Sequence, residues 1–492
     1  MIPLYHREAV YRLDRQAMTL DAQPPRQLMA RAARAAWNSL TERWPEARDL
    51  LILAGPGNNG GDAFALGTLA LRARLNPRLI VLGDLDRQSS EAAACREDYL
   101  RHGGVMEAWQ GELPEAELIV DGLLGIGLDK PLRADWLRLI EAVNAHPAPV
   151  LSIDIPSGLH AETGRPLPKA VRAALTVTFI ARKAGLYLAD GPDFCGELRF
   201  DDLGLSRAAR ASESPALNLL QSADLHRPVP RRRNSHKYDY GSVLVIGGDR
   251  TLAGAALLAG QAALTAGAGL VRLCVHPDAV GSQLARVPEL MCCGWDDLER
   301  HLPRASHLIV GPGLGRGDEA RTLLRGLEGV DKPMLIDADA LQPDFVSGQS
   351  GRPLLLTPHA GEAARMLGCD SDAVQDDRLA AVHALGERYR ATVLLKGQDS
   401  LIGQPRATPL LMAEGMPGMA TAGMGDLLSG LAAGLWAQGL DPLSAAATAA
   451  FWQARAARHA ARHQAQLSLT VTDVLEALGP AAGALVMDGG DG

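Results

Sequence analysis

Rings are scarce in this chain: seven Trp, seven Tyr and six Phe hold aromatics to 4% of 492 residues, so its cores must be built from Ala, Leu and Val. Hydrophobic residues still reach 47%, enough for ordinary globular cores, and the length calls for two or more domains. Cysteine is also sparse. Cys95, Cys195, Cys274, Cys292, Cys293 and Cys369 contain no CxxC spacing, which argues against a zinc site or a disulfide framework and suits a reducing compartment. There is no basic excess: 49 Lys and Arg face 57 Asp and Glu, a net charge of −8, so neither a nucleic-acid nor a membrane partner is expected. The run Arg231-Arg-Arg-Asn-Ser-His-Lys237 reads as a solvated linker in that acidic background. No apolar run approaches membrane-spanning length, and Met1-Ile-Pro-Leu-Tyr-His-Arg7 lacks a secretory pattern. A soluble, cytoplasmic protein is the expectation.

What is present is alternation. Residues 1–48 read as helix. Short apolar runs then recur at Leu50–Ala54, Leu79–Leu82, Leu118–Val120 and Val150–Ile153, with helical stretches at about 89–102 and 135–146 between them. Periodicity fails near Pro215, Pro228 and Pro230, which places a linker at 216–235 between domains at 1–215 and 236–485. The second half resumes with Ser242–Ile246, a helix at 253–266, and runs at Leu270–Val275, Leu308–Val310, Met334–Ile336, Leu354–Leu356 and Val393–Leu395. Such alternation predicts an α/β protein with a parallel sheet in each domain, covered on both faces in three αβα layers.

The polar residues gather where those runs end, which is where open parallel sheets bind ligands. In the first half these are Gly55-Pro-Gly-Asn-Asn-Gly-Gly-Asp62, Asp121 with Gly122-Leu-Leu-Gly125-Ile-Gly127-Leu-Asp129-Lys-Pro131 behind it, and Asp154-Ile-Pro-Ser157. The first is neither GxGxxG nor a P-loop, so it specifies an anion-friendly turn rather than a standard nucleotide fingerprint. On one rim, Asn59, Asp121, Asp154 and Ser157 would offer oxygen ligands for a hard cation, with a carboxylate left over. Turn or capping duty accounts for each of them singly.

In the second half, Lys237-Tyr-Asp-Tyr-Gly241, Ala253-Gly-Ala255, Gly311-Pro-Gly-Leu-Gly315, Thr357-Pro-His359-Ala-Gly-Glu362 and Lys396-Gly-Gln-Asp-Ser400 flank the strands. The most informative stretch is Gly415-Met-Pro-Gly-Met-Ala-Thr-Ala-Gly-Met-Gly-Asp426, a glycine-rich loop breaking into a helix. Free amides and the helix dipole there attract phosphate. Asp426 is the odd member: it either caps the helix or takes a proton from a hydroxyl attacking that phosphate, and the two roles are compatible. His459 and His463, an i,i+4 pair without an accompanying Glu on an Arg-rich helix, read as a solvated face rather than a metal site.

Gly57-Asn-Asn-Gly-Gly-Asp62 together with Ile153-Asp-Ile-Pro-Ser-Gly158 resembles NAD(P)H-hydrate epimerase, a Rossmann-like domain. The resemblance implies that Asn58, Asn59, Gly60, Gly61, Asp62, Gly125, Ile126, Gly127, Leu128, Asp129, Lys130, Pro131 and Asp154 contact a hydrated nicotinamide cofactor. It implies that Asn59, Asp121 and Ser157 bind potassium, and Asp154 is the expected acid/base with Asp62 second. Ala63-Phe64 and Met29-Ala30 depart from the usual pattern. The second half is similar to the ADP-dependent NAD(P)H-hydrate dehydratases of the ribokinase-like class. That similarity implies hydrate contacts at Ala255, Gly315, His359 and Asp426, nucleotide contacts at Lys396, Gly397, Gln398, Asp399, Ser400 and Gly425, and Asp426 as base. Ala360 and Met416 stand where proline and asparagine are usual. Both matches in one chain imply a bifunctional repair enzyme acting on NADHX and NADPHX with ADP, using K⁺ in the first domain and Mg²⁺ with the nucleotide in the second, and a homo-oligomer. A ribokinase-like ATP-dependent kinase of a vitamin or sugar alcohol is the competing reading of Gly423-Met-Gly-Asp426 alone.

Overall fold

The computed structural model describes residues 1–226 and 231–487. Its contacts divide into two compact units, Pro3–Leu217 and Asn218 onward, the latter taking Met1 and Ile2. Pro228 and Pro230 of the expected linker lie outside the described residues.

The first unit is built on β1 (Asp49–Ala54), β2 (Asn76–Val81), β3 (Met106–Ala108), β4 (Leu118–Gly122), β5 (Val150–Ile153), β6 (Leu175–Phe179) and β7 (Glu197–Asp201). All pair in parallel, in the order β3-β2-β1-β4-β5-β6-β7. The order reverses between β1 and β4, and that reversal opens a crevice at the carboxyl ends of these two strands. Successive side chains alternate faces. Leu50, Ile52 and Ala54 join one apolar core, while Leu51 and Leu53 join another with Leu139, Ile140 and Val143 of the helix Ala134–Ala145. Both faces are therefore covered, as expected of unbroken apolar strands.

The leading 48 residues are not one helix. Ile2–Leu4 is extended, and helices run Arg7–Thr19 and Pro25–Arg43. Pro24 and Pro25 divide them, because Pro25 fits the first position of a helix but not its interior.

In the second unit the strands are β8 (Leu217–Leu219), β9 (Ser242–Ile246), β10 (Leu270–Val275), β11 (Met291–Gly294), β12 (His307–Val310), β13 (Met334–Ile336), β14 (Leu354–Leu356), β15 (Thr392–Leu395), β16 (Ser400–Gly403) and β17 (Leu410–Met412). Their order is β8-β17-β16-β15-β14-β13-β12-β9-β10-β11, and only the β15–β16 and β16–β17 pairs are antiparallel. The stretch expected as linker is thus not free chain at its start: Asn218 and Leu219 pair with Leu410 and Leu411 of β17. The core beneath this sheet is rich in alanine. The helices Ala253–Thr265, Met424–Ala437 and Pro442–Ala460 bring Ala256, Ala259, Ala432, Ala446 and Ala449 into it beside Leu427 and Leu431. Small side chains let helix axes approach closely, which is how a chain poor in rings fills this core.

Among the described residues, no helix is long and apolar enough to cross a membrane.

Candidate active sites

In the first unit the loop after β1 has almost no room for side chains. A Cβ on Gly55 would fall 1.8 Å from the Leu123 carbonyl oxygen, and one on Gly60 would fall 2.0 Å from that of Gly55. Only glycine permits this approach. It lets the helix Asn58–Arg72 start directly off the strand, with Asn58, Asn59 and Asp62 in its first turns. Gly61 packs on Met29, so Gly60 and Gly61 shape the turn rather than face the crevice.

The crevice is a cavity of about 580 Å³. Of the residues named by the resemblance, Asn58, Asn59, Asp62, Gly125, Ile126, Gly127, Leu128 and Asp154 line it. Asp129, Lys130 and Pro131 are exposed beyond that lining. Three further charged groups, Asp14, Glu91 and Lys183, also line the cavity. Lys183 is an ammonium with only 1% of its side chain exposed. It is ion-paired with Asp154 Oδ1 and donates to the Phe179 carbonyl at 2.8 Å and to Thr178 Oγ1 at 3.0 Å. Asp154 Oδ1 also accepts from the Phe179 amide at 3.1 Å and from Thr178 Oγ1 at 3.2 Å. The backbone at Asp154 has φ 67°, a left-handed conformation that Asp tolerates better than most residues.

Burial, then the charges of Asp154 and Asp14, push the Asp62 carboxyl well above the usual carboxylate range, against Lys183. Asp14 is raised too, chiefly by burial, with Lys183 opposing and Asp154 adding. The cavity thus holds one carboxylate fixed in an ion pair, two carboxyls whose burial raises their pKa, and Glu91. Asp14 sits on an ordinary amphipathic helix and carries no sequence signal. Lys183 follows β6, whose Leu-Thr-Val-Thr-Phe pattern is not an unbroken apolar run.

Below the cavity, Asp121 is fully buried. Its Oδ1 accepts from Ser157 Oγ at 2.5 Å and the Leu123 amide at 3.3 Å, and its Oδ2 from Ser152 Oγ at 2.8 Å and the Ser157 amide at 2.9 Å. Burial raises its pKa, and these hydrogen bonds oppose the rise. Asn59 Nδ2 donates to the Leu124 carbonyl at 3.0 Å, a carbonyl that Ser157 Oγ also reaches at 3.3 Å. Asn59 Oδ1 is buried without a hydrogen-bond partner among the described residues. An orphaned amide oxygen beside a buried carboxylate and a hydroxyl fits a hard cation of low charge.

In the second unit the helix Met424–Ala437 begins at Gly423, whose φ of 88° makes it the cap. Asp426 is therefore the third residue of the helix, not its cap. Its carboxyl is pushed up to about 7, by burial first and then by Asp337, with Lys396 opposing. Lys396 Nζ donates to Asp337 Oδ1 at 2.8 Å and lies 3.7 Å from Glu362 Oε2. Burial alone would lower its pKa, but Asp337 and Glu362 raise it. The same ammonium is 3.2 Å from the Cβ position of Gly425, which puts it against the helix start. Asp337 Oδ2 accepts from Ser429 Oγ at 2.7 Å, one turn further along the helix. Asp337 is not singled out in the sequence, yet it directly follows the apolar run of β13 as Asp121 follows Val120 in β4, so the strand-end rule reaches it.

His359 and Glu362 form a reciprocal cap on the helix Ala360–Leu367: Nδ1 accepts from the Gly361 amide at 3.0 Å, and Glu362 accepts from the His359 amide at 2.8 Å. His359 keeps 58% of its side chain exposed, free to meet a ligand. The Gly315 amide donates to Asp339 Oδ2 at 3.0 Å, and Ala255 Cβ lies 3.0 Å from the Cβ position of Gly313, so these two expected contacts share one loop cluster. In the turn after β15, Gly397 and Gln398 are exposed whereas Asp399 and Ser400 are buried. Buried Arg378 holds this turn, with Nη2 donating to the Asp399 carbonyl at 3.1 Å and Nε 3.7 Å from its carboxylate. Lys396, Asp399 and Ser400 thus build the turn, and Gly397 and Gln398 present it. His459 and His463 stack edge-on with ring centroids 5.8 Å apart, and among the described residues no group of three His, Cys, Asp or Glu could hold a metal.

Residues 243–479 match the family described as NAD(P)H-hydrate dehydratase, and residues 25–185 match the family described as YjeF-related protein N-terminus. The chain is 39% identical over 482 residues to a bifunctional NAD(P)H-hydrate repair enzyme of Coxiella burnetii, covering 96% of this chain and 98% of that protein. It is 37% identical over 479 residues to one of Escherichia coli, covering 96% and 93%. Among solved structures it is similar to a ribokinase-like superfamily protein from Enterococcus faecalis, at 25% identity and TM-score 0.50 over 55% of this chain and 96% of that one. An ADP/ATP-dependent NAD(P)H-hydrate dehydratase from Bacillus subtilis, co-crystallized with ATP/Mg²⁺, shares the fold at 24% identity and TM-score 0.50 over 55% and 99%.

Proposed function

The chain belongs to the family of bifunctional NAD(P)H-hydrate repair enzymes, and from that premise we propose how its two rims divide the work. The first unit interconverts the R and S hydrates of NADH and NADPH. The second dehydrates the S form with ADP, giving NAD(P)H, AMP and phosphate.

The observation that carries the second reaction is Asp426, a carboxyl at about 7 beside Lys396 at a phosphate-binding helix start. Hydroxide leaves a ring carbon poorly. Asp426 takes the C6 hydroxyl proton as that oxygen attacks the terminal phosphorus of ADP, and the bond to AMP breaks. The free amides of the helix start and the Lys396 ammonium face the charge that develops. Phosphate then departs from C6 as the ring nitrogen pushes in its electron pair, and loss of the C5 proton restores the dihydronicotinamide. Magnesium would enter this rim with the nucleotide and would supply positive charge to its phosphates.

For epimerisation the hydroxyl must leave C6 and water must return on the other face. Asp62 keeps its proton and acts as the acid toward the leaving hydroxyl. Asp154, held by Lys183, supplies negative charge against the cationic ring and accepts a proton from the returning water. This assignment gives Asp62 the acid role and Asp154 the base role. Potassium would be held by Asn59 Oδ1, Asp121 and Ser157, and it supplies positive charge that offsets the buried carboxylate.

The test mixes R and S NADHX with ADP, magnesium and potassium and follows cofactor absorbance. Complete recovery of NADH is expected. A plateau once the S form is consumed would remove the epimerase assignment, and a stable phosphorylated product in place of NADH would favour a kinase.

A further inference from the structure

A cavity of about 440 Å³ opens at the opposite end of the second sheet, where β9, β10 and β11 begin. The phosphoryl-transfer residues all follow carboxyl ends of strands, so the sheet itself separates the two places. Lys237, Arg272, His301 and Arg304 line this cavity, and no carboxylate does. Arg272 is half-buried, and its Nη2 rests on Met291 Sδ at 3.1 Å. Lys237 Nζ lies 5.5 Å from the centre of the Tyr238 ring, which is itself 66% exposed at the rim. His301 is only 9% exposed, and its Nδ1 is buried with no hydrogen-bond partner among the described residues. Burial, then Arg272 and Arg300, lower its pKa, with Asp297 opposing and Arg304 adding, which reports electropositive surroundings. Basic side chains gathered without a carboxylate, in a chain of net charge −8, give this cavity a local positive field that favours an anion.

We propose that this cavity is a second anion site, separate from both catalytic rims, that takes a small phosphomonoester. The dianion sits among Arg272, Lys237 and Arg304. An organic body fills the remaining volume against Leu270 and the Tyr238 ring, because orthophosphate alone would leave most of a cavity this size to water. A nucleoside monophosphate such as AMP has both parts.

Crystals of the full chain soaked separately with AMP, orthophosphate and adenosine test this, together with AMP titration calorimetry. AMP density with its phosphoryl group on Arg272 is expected, and so is a calorimetric site beyond the catalytic one. In Lys237→Gln/Arg304→Gln, both exposed positions, that extra site weakens at least tenfold while ADP-dependent turnover stays unchanged. Arg272→Gln, checked for an unchanged melting temperature, serves as the second variant. An empty cavity at saturating AMP overturns the proposal. So do equal affinity in the variants, adenosine binding as tightly as AMP, and orthophosphate entering where AMP does not.

Discussion

The proton on Asp426 links activity and stability in opposite senses. Burial and Asp337 raise its pKa from 3.8 to about 7, so the folded chain holds this proton more tightly than the unfolded chain does. The contribution to stability is fully present below 3.8 and is lost as pH rises through about 7. Asp426→Asn should therefore melt at a higher temperature than the parent above that pH, with the gap closing on acidification; thermal scans across pH check it. Turnover runs the other way, rising with pH to a plateau above about 7 as the base ionises, and Asp426→Asn should lose ~10²–10⁴-fold in kcat and the pH limb with it. Lys183 presents the complementary case. Lys183→Met strips a buried partner from Asp154 and should cost ~3–5 kcal/mol in denaturant unfolding of the first unit. Adding Asp154→Asn should recover most of that loss. Neither variant should epimerise.

Packing between two helices decides where Asp426 stands. Gly430 and Gly434 of the helix Met424–Ala437 lie against Ala259, Ala262, Ala263 and Ala266, and a Cβ on Gly430 would fall 2.1 Å from the Ala259 carbonyl oxygen. Gly430→Ala should cost ~1–3 kcal/mol and depress the ADP-dependent reaction by displacing the helix start, with epimerisation of R to S unchanged by chromatographic assay. The strands that hold the rims, β1, β2, β4, β5, β9, β10 and β12 to β15, are legible in the sequence because each carries a short apolar run that is buried on both faces, in β2 and β10 over only part of its length. Others are not, for tertiary reasons. β7 is Glu-Leu-Arg-Phe-Asp and only partly buried, as an edge strand can be. In β6, Thr176 is fully buried because its hydroxyl donates to the Cys195 carbonyl at 2.8 Å, a partner that no local pattern foretells. The same division holds in the rims: Asp121, Asp154 and Asp426 announce themselves by strand end and helix start, whereas Lys183 and Asp14 matter only through what the fold sets beside them.

At the scale of the whole chain, the residues described for each rim come from one unit, Val10 to Leu203 in one and Ala255 to Ser429 in the other. Two inactive chains should then complement each other. An equimolar mixture of Asp62→Asn and Asp426→Ala should restore NADH from the R hydrate, although neither variant alone does so; no recovery in the mixture would mean that the sites need each other in one molecule. Asp337, Glu362 and Asp426 set three carboxyl groups around the ammonium of Lys396, where the proposed function places a polyphosphate. A bare nucleotide anion meets repulsion there, and a metal-complexed one does not. On the proposed function, the repair rate should follow the chelated share of the nucleotide pool, and damaged cofactor should build up when free divalent metal falls even while the adenylate total holds steady.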